Sequence, residues 1–320
     1  MQILFTLVFL MGGLDNSGTQ RVLLQLGEEI YPHVSSASLE KNTLVLVLNG
    51  SSYGFDPTLV VLDKKGRLQN KYDAKGNGPG HLAAIGRVSL FQSVIYAPEV
   101  FKPIIHTYNA ELRFIKDYRV EVSGHIVLNN KQYLGIWGEH HRNGKVFMVG
   151  LYRKGDFALE HVLFPKEDDV AILGNWGGAC FVDENQIAAI FDKPYKVHVH
   201  NLSTGKTRGF PKLQPAHIPD YTPWKKSRNI VNATDVDAWT SSWAPIDNFW
   251  RYRGHYMIGY KLEGKEYFDI MSDKGHLLLK KQPRGRLLFV NDEGAWLAEK
   301  EENEEGINHF LVMQKIHIDG

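Results

Sequence analysis

Only one cysteine, Cys180, stands among 320 residues. That excludes an intramolecular disulfide and any multi-cysteine metal site. In its context, Ala179-Cys180-Phe181-Val182, it reads as a small buried hydrophobe. Charge of one sign is also missing, since 37 Lys and Arg face 36 Asp and Glu for a formal net charge of +1. Nucleic-acid binders carry a basic excess, and disordered chains combine high net charge with few apolar residues. A chain 43% hydrophobic and 12% aromatic fits neither. No Gly-x-Ser-x-Gly elbow is present, which argues against a serine hydrolase of that kind. Hydrophobic runs long enough to span a bilayer, about 20 residues, are lacking too. ILFTLVFL at Ile3 to Leu10 is too short. It is followed by Met11-Gly12-Gly13 and then a polar stretch from Asp15 to Thr19, the order of a secretory signal peptide over residues 1–18. This implies an exported protein, periplasmic or extracellular. No Lys or Arg precedes Arg21, so a late start or a buried N-terminal strand is the alternative.

Strand-like runs fill the rest: Thr43 to Leu48, Thr58 to Leu62, Val94 to Ala97, Pro103 to Tyr108, Val146 to Tyr152, Ile187 to Phe191, Val197 to Asn201, Tyr256 to Lys261 and Phe310 to Met313. No convincing helix interrupts them. Turns rich in Asp, Asn, Lys and Gly follow certain strands, ending at Gly66, Ala110, Gly155, Gly205, Gly275 and Gly320. Their spacings are 44, 45, 50, 70 and 45 residues, so one interval carries an insertion. A second turn class lies upstream of several of them: Leu39 to Asn42, Asn129 to Gln132, Val182 to Asn185 and Val290 to Gly294. Two hairpin turns per unit of about 45 residues imply four antiparallel strands, the pattern of a β-propeller blade. The expected fold is all-β: one six-bladed β-propeller domain over residues 19–320, its units starting near His33, His81, Gly124, Gly174, Trp239 and Arg284. A loop is inserted at about 211–238. The sixth unit lacks its outermost strand, and RVLLQL at Arg21 to Leu26 is expected to supply it and close the ring.

Lys75-Gly76-Asn77-Gly78-Pro79-Gly80-His81-Leu82 falls between the first and second units. It resembles the Gly-x-Gly-Pro-Gly-Glu-Phe signature of bacterial six-bladed propellers of NHL and TolB-like type, with His81-Leu82 in place of Glu-Phe. Through repeat layout the resemblance covers about residues 20–320 and implies an exported propeller. The motif reads as a tight inter-blade turn, because clustered glycines permit positive φ and proline fixes the bend. A phosphate loop would require a helix after it.

In such a ring the loops between second and third strands share one face with the inter-blade loops. That face should carry Tyr53 to Asp56, Glu99 to Lys102, Glu139 to Arg142, Asp192 to Tyr195, Glu301 to Glu305, the His81 turn, Asn175-Trp176 and the insertion. Glu299 to Glu305 reads as a solvated hairpin loop. His198 and His200 alternate on one face of a third strand, as polar or blade-packing positions. Prolines 211, 215, 219 and 223 give the insertion an extended course. Long ordered loops are often functional, and the candidate ligand-binding residues are Trp176, His217, Asp220, Tyr221, Trp224 and Trp239, with Trp243 beside them.

The reading adopted is a non-enzymatic binding or scaffold propeller without cofactor, whose loop face holds a protein, peptide or glycan and no nucleic acid. The alternative, drawn from metal-dependent lyases and hydrolases among six-bladed relatives, places a divalent metal at the channel mouth on His81, His140, His141 and His217. Adjacent histidines on extended backbone point to opposite sides, which weighs against that set. A quinone-cofactor dehydrogenase has no supporting motif.

Overall fold

Runs such as LVLVL at Leu44 to Leu48 need apolar cover on both faces, because successive strand side chains point opposite ways. The computed structural model of the protein shows what covers them. It describes residues 19–24, 33–49, 57–73, 78–124, 126–166, 177–191, 195–210, 245–263, 265–281, 286–291, 293–303 and 306–316. Among these there are 24 strands and no helix.

Blade 1 is β2 (His33–Glu40), β3 (Thr43–Asn49), β4 (Pro57–Asp63) and β5 (Leu68–Asp73). Blade 2 is β6 (Ser89–Phe91), β7 (Val94–Pro98), β8 (Ile104–Asn109) and β9 (Phe114–Arg119). Blade 3 is β10 (Ile126–Asn129), β11 (Tyr133–Arg142), β12 (Lys145–Arg153) and β13 (Leu159–Pro165). Blade 4 is β14 (Gly178–Phe181), β15 (Gln186–Phe191), β16 (Lys196–Asn201) and β17 (Lys206–Gly209). Blade 5 is β18 (Ile246–Tyr252), β19 (His255–Leu262), β20 (Lys265–Met271) and β21 (Leu277–Lys281). Blade 6 is β22 (Arg286–Asn291), β23 (Gly294–Asn303) and β24 (Gly306–Gln314), completed by the N-terminal β1 (Thr19–Leu23). Each sheet is antiparallel and four-stranded. The innermost strands touch in the order β2, β6, β10, β14, β18, β22 and back to β2, so the six sheets form a closed ring.

Six apolar cores lie between neighbouring blades. Leu44, Leu46 and Leu48 of β3 join Leu288, Trp296 and Met313 of blade 6, while Val45 and Val47 join Leu82, Ile95 and Tyr108 of blade 2. A middle strand therefore serves two cores at once, which is why its sequence is apolar without alternation. Side-chain oxygens add a ladder between blades. Ser36 and Ser38 accept the amides of Val88 and Leu90 at 3.0 and 2.9 Å, and Glu40 accepts those of Gln92 and Ser93 at 2.8 Å each.

Ring closure follows the expectation, shifted by two residues at the start: β1 pairs with β24 from Thr19↔Gln314 to Leu23↔Phe310. The acidic stretch departs from its reading as a solvated loop. Glu299 and Glu301 lie within β23 and face Arg21 of β1, at 3.7 and 2.5 Å, while the Arg21 guanidinium sits 3.5 Å above the Phe310 ring. A second departure concerns Glu139 to Arg142, expected in a loop. A bulge between Trp137 and His140 lets β11 continue to Arg142. The hairpin then turns at Asn143 and Gly144, whose φ values of 51° and 74° suit a two-residue turn.

Candidate functional site

The expected ligand-binding residues Trp176, His217, Asp220, Tyr221, Trp224 and Trp239 lie outside the described residues, as do Trp243 and residues 1–18. The Gly-Pro-Gly turn is described from Gly78, and its backbone is tied down from several sides. His81 N–H donates to Gly78 O at 3.0 Å. Gly80 O accepts from the hydroxyls of Tyr72, at 3.3 Å, and Tyr108. Gly80 has φ of 76°, and a Cβ there would meet the Phe114 ring at 2.8 Å. Downstream, the fully buried Glu99 carboxylate accepts the amides of Ala83 and Ala84 at 3.3 and 3.2 Å. Its Oε2 lies 3.9 Å from His106 Nε2, and Asp117 Oδ1 lies 2.6 Å from His106 Nδ1. One buried acid thus joins the inter-blade loop to blade 2. The same loop end carries Phe101, 62% exposed on the loop-rich face.

The described metal candidates sit apart in role and surroundings. His81 packs its ring 6.1 Å from that of Tyr72. His140 is fully buried in β11, its Nε2 3.3 Å from Ile136 O and its ring filling the space left by Gly150. Burial holds its pKa below the ordinary histidine value, so it is a neutral core imidazole. His141, on the other side of the strand, is exposed. Among the described residues no three His, Cys, Asp or Glu side chains are grouped to hold a metal. His200 packs between blades against Phe164 of blade 3, while His198 packs against Phe191 within blade 4.

Sequence reading placed candidate sites at the channel mouth but named as site residues none of those that line the channel itself. A cavity of about 340 Å³ is lined by residues from all six innermost strands or their approaches. Its polar lining includes Arg87, Arg251, Asn129, Ser36, Ser38 and Ser89, beside Phe181, Phe249, Trp250 and Phe289, and no carboxylate is among the described lining residues. Arg87 immediately precedes blade 2, which stands opposite blade 5 in the ring. Its Nη2 donates to Asp247 O at 2.7 Å, and its guanidinium lies 5.7 Å from the Trp250 ring. Arg87 is therefore a spoke across the channel. Burial lowers its pKa, opposed by the charges of Asp247 and Glu266. Glu266 is itself pushed up by burial while accepting the Leu287 amide at 3.0 Å.

Cys180 lines this cavity but is buried, and burial pushes its thiol pKa up to about 12. Only about one molecule in 10,000 is then thiolate at pH 8. Iodoacetamide is expected to leave Cys180 unmodified in the native protein and to alkylate it in urea. Fast native labelling would contradict this.

Lys154, at the turn between β12 and β13, inserts its amine among blade 2 aromatics, 3.7 Å from the Phe91 centroid and 5.5 Å from that of Tyr96. The Nζ has no hydrogen-bond partner, and burial lowers its pKa to about 8. Between that value and the unfolded value near 10.5 the unfolded chain binds more protons, so this group's destabilising effect is full below pH 8 and fades as pH rises through that window. Lys154→Met is expected to raise stability by about 1–2 kcal/mol at pH 7, with the advantage shrinking by pH 10. Paired melting curves at the two pH values check both the sign and the trend.

A second buried carboxylate, Asp269, accepts the hydroxyls of Tyr195 and Tyr260 at 3.1 Å each across blades 4 and 5. Sequence gave no sign of it, since the partners are 74 and 9 residues away.

Comparison with known proteins reveals fold but no family. No protein-family model matches the sequence, and neither does any curated protein. Among solved structures, a Bacteroides fragilis protein to which export is ascribed aligns with TM-score 0.66 and 13% identity, over 93% of this chain and 95% of that one. A member of the DUF4221 family from Bacteroides vulgatus aligns with TM-score 0.65 and 12% identity, over 94% and 97%. Streptogramin B lyase aligns with TM-score 0.53 and 9% identity, over 94% and 88%. At these identities the likeness is one of architecture, and the chain is a six-bladed β-propeller.

Proposed function

We propose that this protein is an exported binding or scaffold propeller of the NHL and TolB-like type, acting without catalysis or cofactor. Its face of inter-blade loops holds a protein, peptide or glycan. Residues 1–18 serve as the signal peptide and residues 19–320 form a single domain. One observation carries the reading: the 99–103 loop, anchored by buried Glu99, presents Phe101 at 62% exposure on the loop-rich face. Aromatic side chains give large contact area at low entropy cost, and a preorganised loop spends little ordering free energy on binding. The export ascribed to the Bacteroides fragilis neighbour supports the location.

The test uses the full mature chain against a displayed peptide library and a glycan array. Binders are then titrated against Phe101→Ala and against a variant with residues 213–222 replaced by a Gly/Ser linker. Loss of about tenfold or more in affinity in either variant supports the reading. Binders indifferent to both changes, or none at all, would overturn it. Stoichiometric metal on elemental analysis, with a melting point lowered by EDTA, would replace it with a metal-dependent reading in which His140, held in the core, takes no part.

A further inference from the structure

We propose that the central cavity on the short-turn side of the Arg87 spoke is a binding site for a small organic anion, a carboxylate or phosphate group carried on a flat apolar body. This site is separate from the loop face and does not depend on it. Four observations lead there.

The cavity is closed in by the ring itself. Its lining reaches the ends of five inner strands, at Leu39, Asn129, Phe181, Arg251 and Asn291, beside the first hairpin turns of those blades. Its mouth is therefore on the face of short turns. Its volume, about 340 Å³, lies at the small end of ligand pockets, which run to roughly 300–1,000 Å³.

The charge inside has one sign. Arg87 and Arg251 line the cavity, and the acids that oppose Arg87, Asp247 and Glu266, are not among the lining residues. Arg251 differs from Arg87 in being uncommitted. It lies 4.5 Å above the Tyr256 ring, and its Nη1 is buried with no hydrogen-bond partner. Nη1 itself is sealed from the cavity, so an anion there would be met by the other N–H groups of the guanidinium, through charge-assisted bonds.

The neutral polar groups can orient such a ligand. Ser36 and Ser38 accept backbone amides through Oγ, which leaves their own O–H to donate. Asn129 donates Nδ2 to Ser89 Oγ at 2.8 Å, which leaves the Ser89 O–H to donate in turn. Asn291, by contrast, is committed to its turn, accepting Glu293 N–H and Trp296 Nε1–H at 3.0 Å each.

The apolar groups set the rest of the ligand. Phe181 and Trp250 line the same space half-buried, while Phe249 and Phe289 are already covered in the inter-blade cores, so an aromatic or short aliphatic acid would cover the first two where a bare inorganic ion would not.

The test is calorimetric titration of the full mature chain in low salt with benzoate, phenyl phosphate, inorganic phosphate and, as the neutral isostere, benzamide. One site per chain for benzoate or phenyl phosphate, at least about tenfold tighter than benzamide, is expected. The tighter of the two names the anionic group. Arg251→Met should weaken that binding about tenfold or more, and Arg251→Lys, which keeps charge but not the planar fork, by less. The proposal is overturned if benzamide binds as well as benzoate, if inorganic phosphate alone matches phenyl phosphate, or if nothing binds below about 1 mM. The first three comparisons use the unaltered protein, so they decide the matter even should an Arg251 variant fail to fold.

Discussion

A chain lacking residues 1–24 is expected to lose about 5 kcal/mol of stability and to aggregate through blade 6. Val22 and Leu24 are buried, and covering two such side chains contributes about 1.5–3 kcal/mol each. The ladder with β24 and the Arg21 contacts to Glu299, Glu301 and Phe310 add to that. Removing β1 also leaves β24 as an unpaired edge, an invitation to pair with another chain. Urea denaturation followed by tryptophan fluorescence gives the first quantity, and light scattering the second. A synthetic peptide covering residues 19–26 should restore both in trans. A truncated chain as stable as the full one would show that ring closure is held by the cores between blades alone.

Glu99→Ala is expected to cost about 3–5 kcal/mol. The substitution strips the acceptor from two amides, Ala83 and Ala84, and an orphaned buried donor costs about 1–3 kcal/mol. It also removes one of the two carboxylates beside His106. Glu99→Gln should fall between, because its oxygen can accept one amide while its NH₂ opposes the other. Hydrogen exchange at Ala83 and Ala84 should accelerate most in the alanine variant. A loss under about 1 kcal/mol would mean that the tyrosine bonds to Gly80 hold the loop unaided.

Much of this architecture was legible in order along the chain. Turn residues recur because each blade needs the same hairpins, so Gly66, Gly205 and Gly275 mark blades and all adopt positive φ. Gly-Pro-Gly read correctly as a turn because the requirement is local. Glu139 to Arg142 misled, because a bulge that keeps a strand going leaves no signal in residue type. The acidic run from Glu299 misled for a different reason: Arg21 is its partner across about 280 residues, a separation no local pattern records.

The all-strand character, the six-fold repeat and the borrowed closing strand are written along the chain, since each follows from short-range periodicity and turn chemistry. Which polar residues meet is a property of the folded ring. Closing the ring brings Arg87 of one side to Asp247 on the other, buries Glu99 under two amides, places His140 in a core and leaves Arg251 lining the channel with its Nη1 buried and unpaired. These outcomes depend on the angle between blades and the register between strands, which are set by packing summed over the whole ring and not by any segment of it.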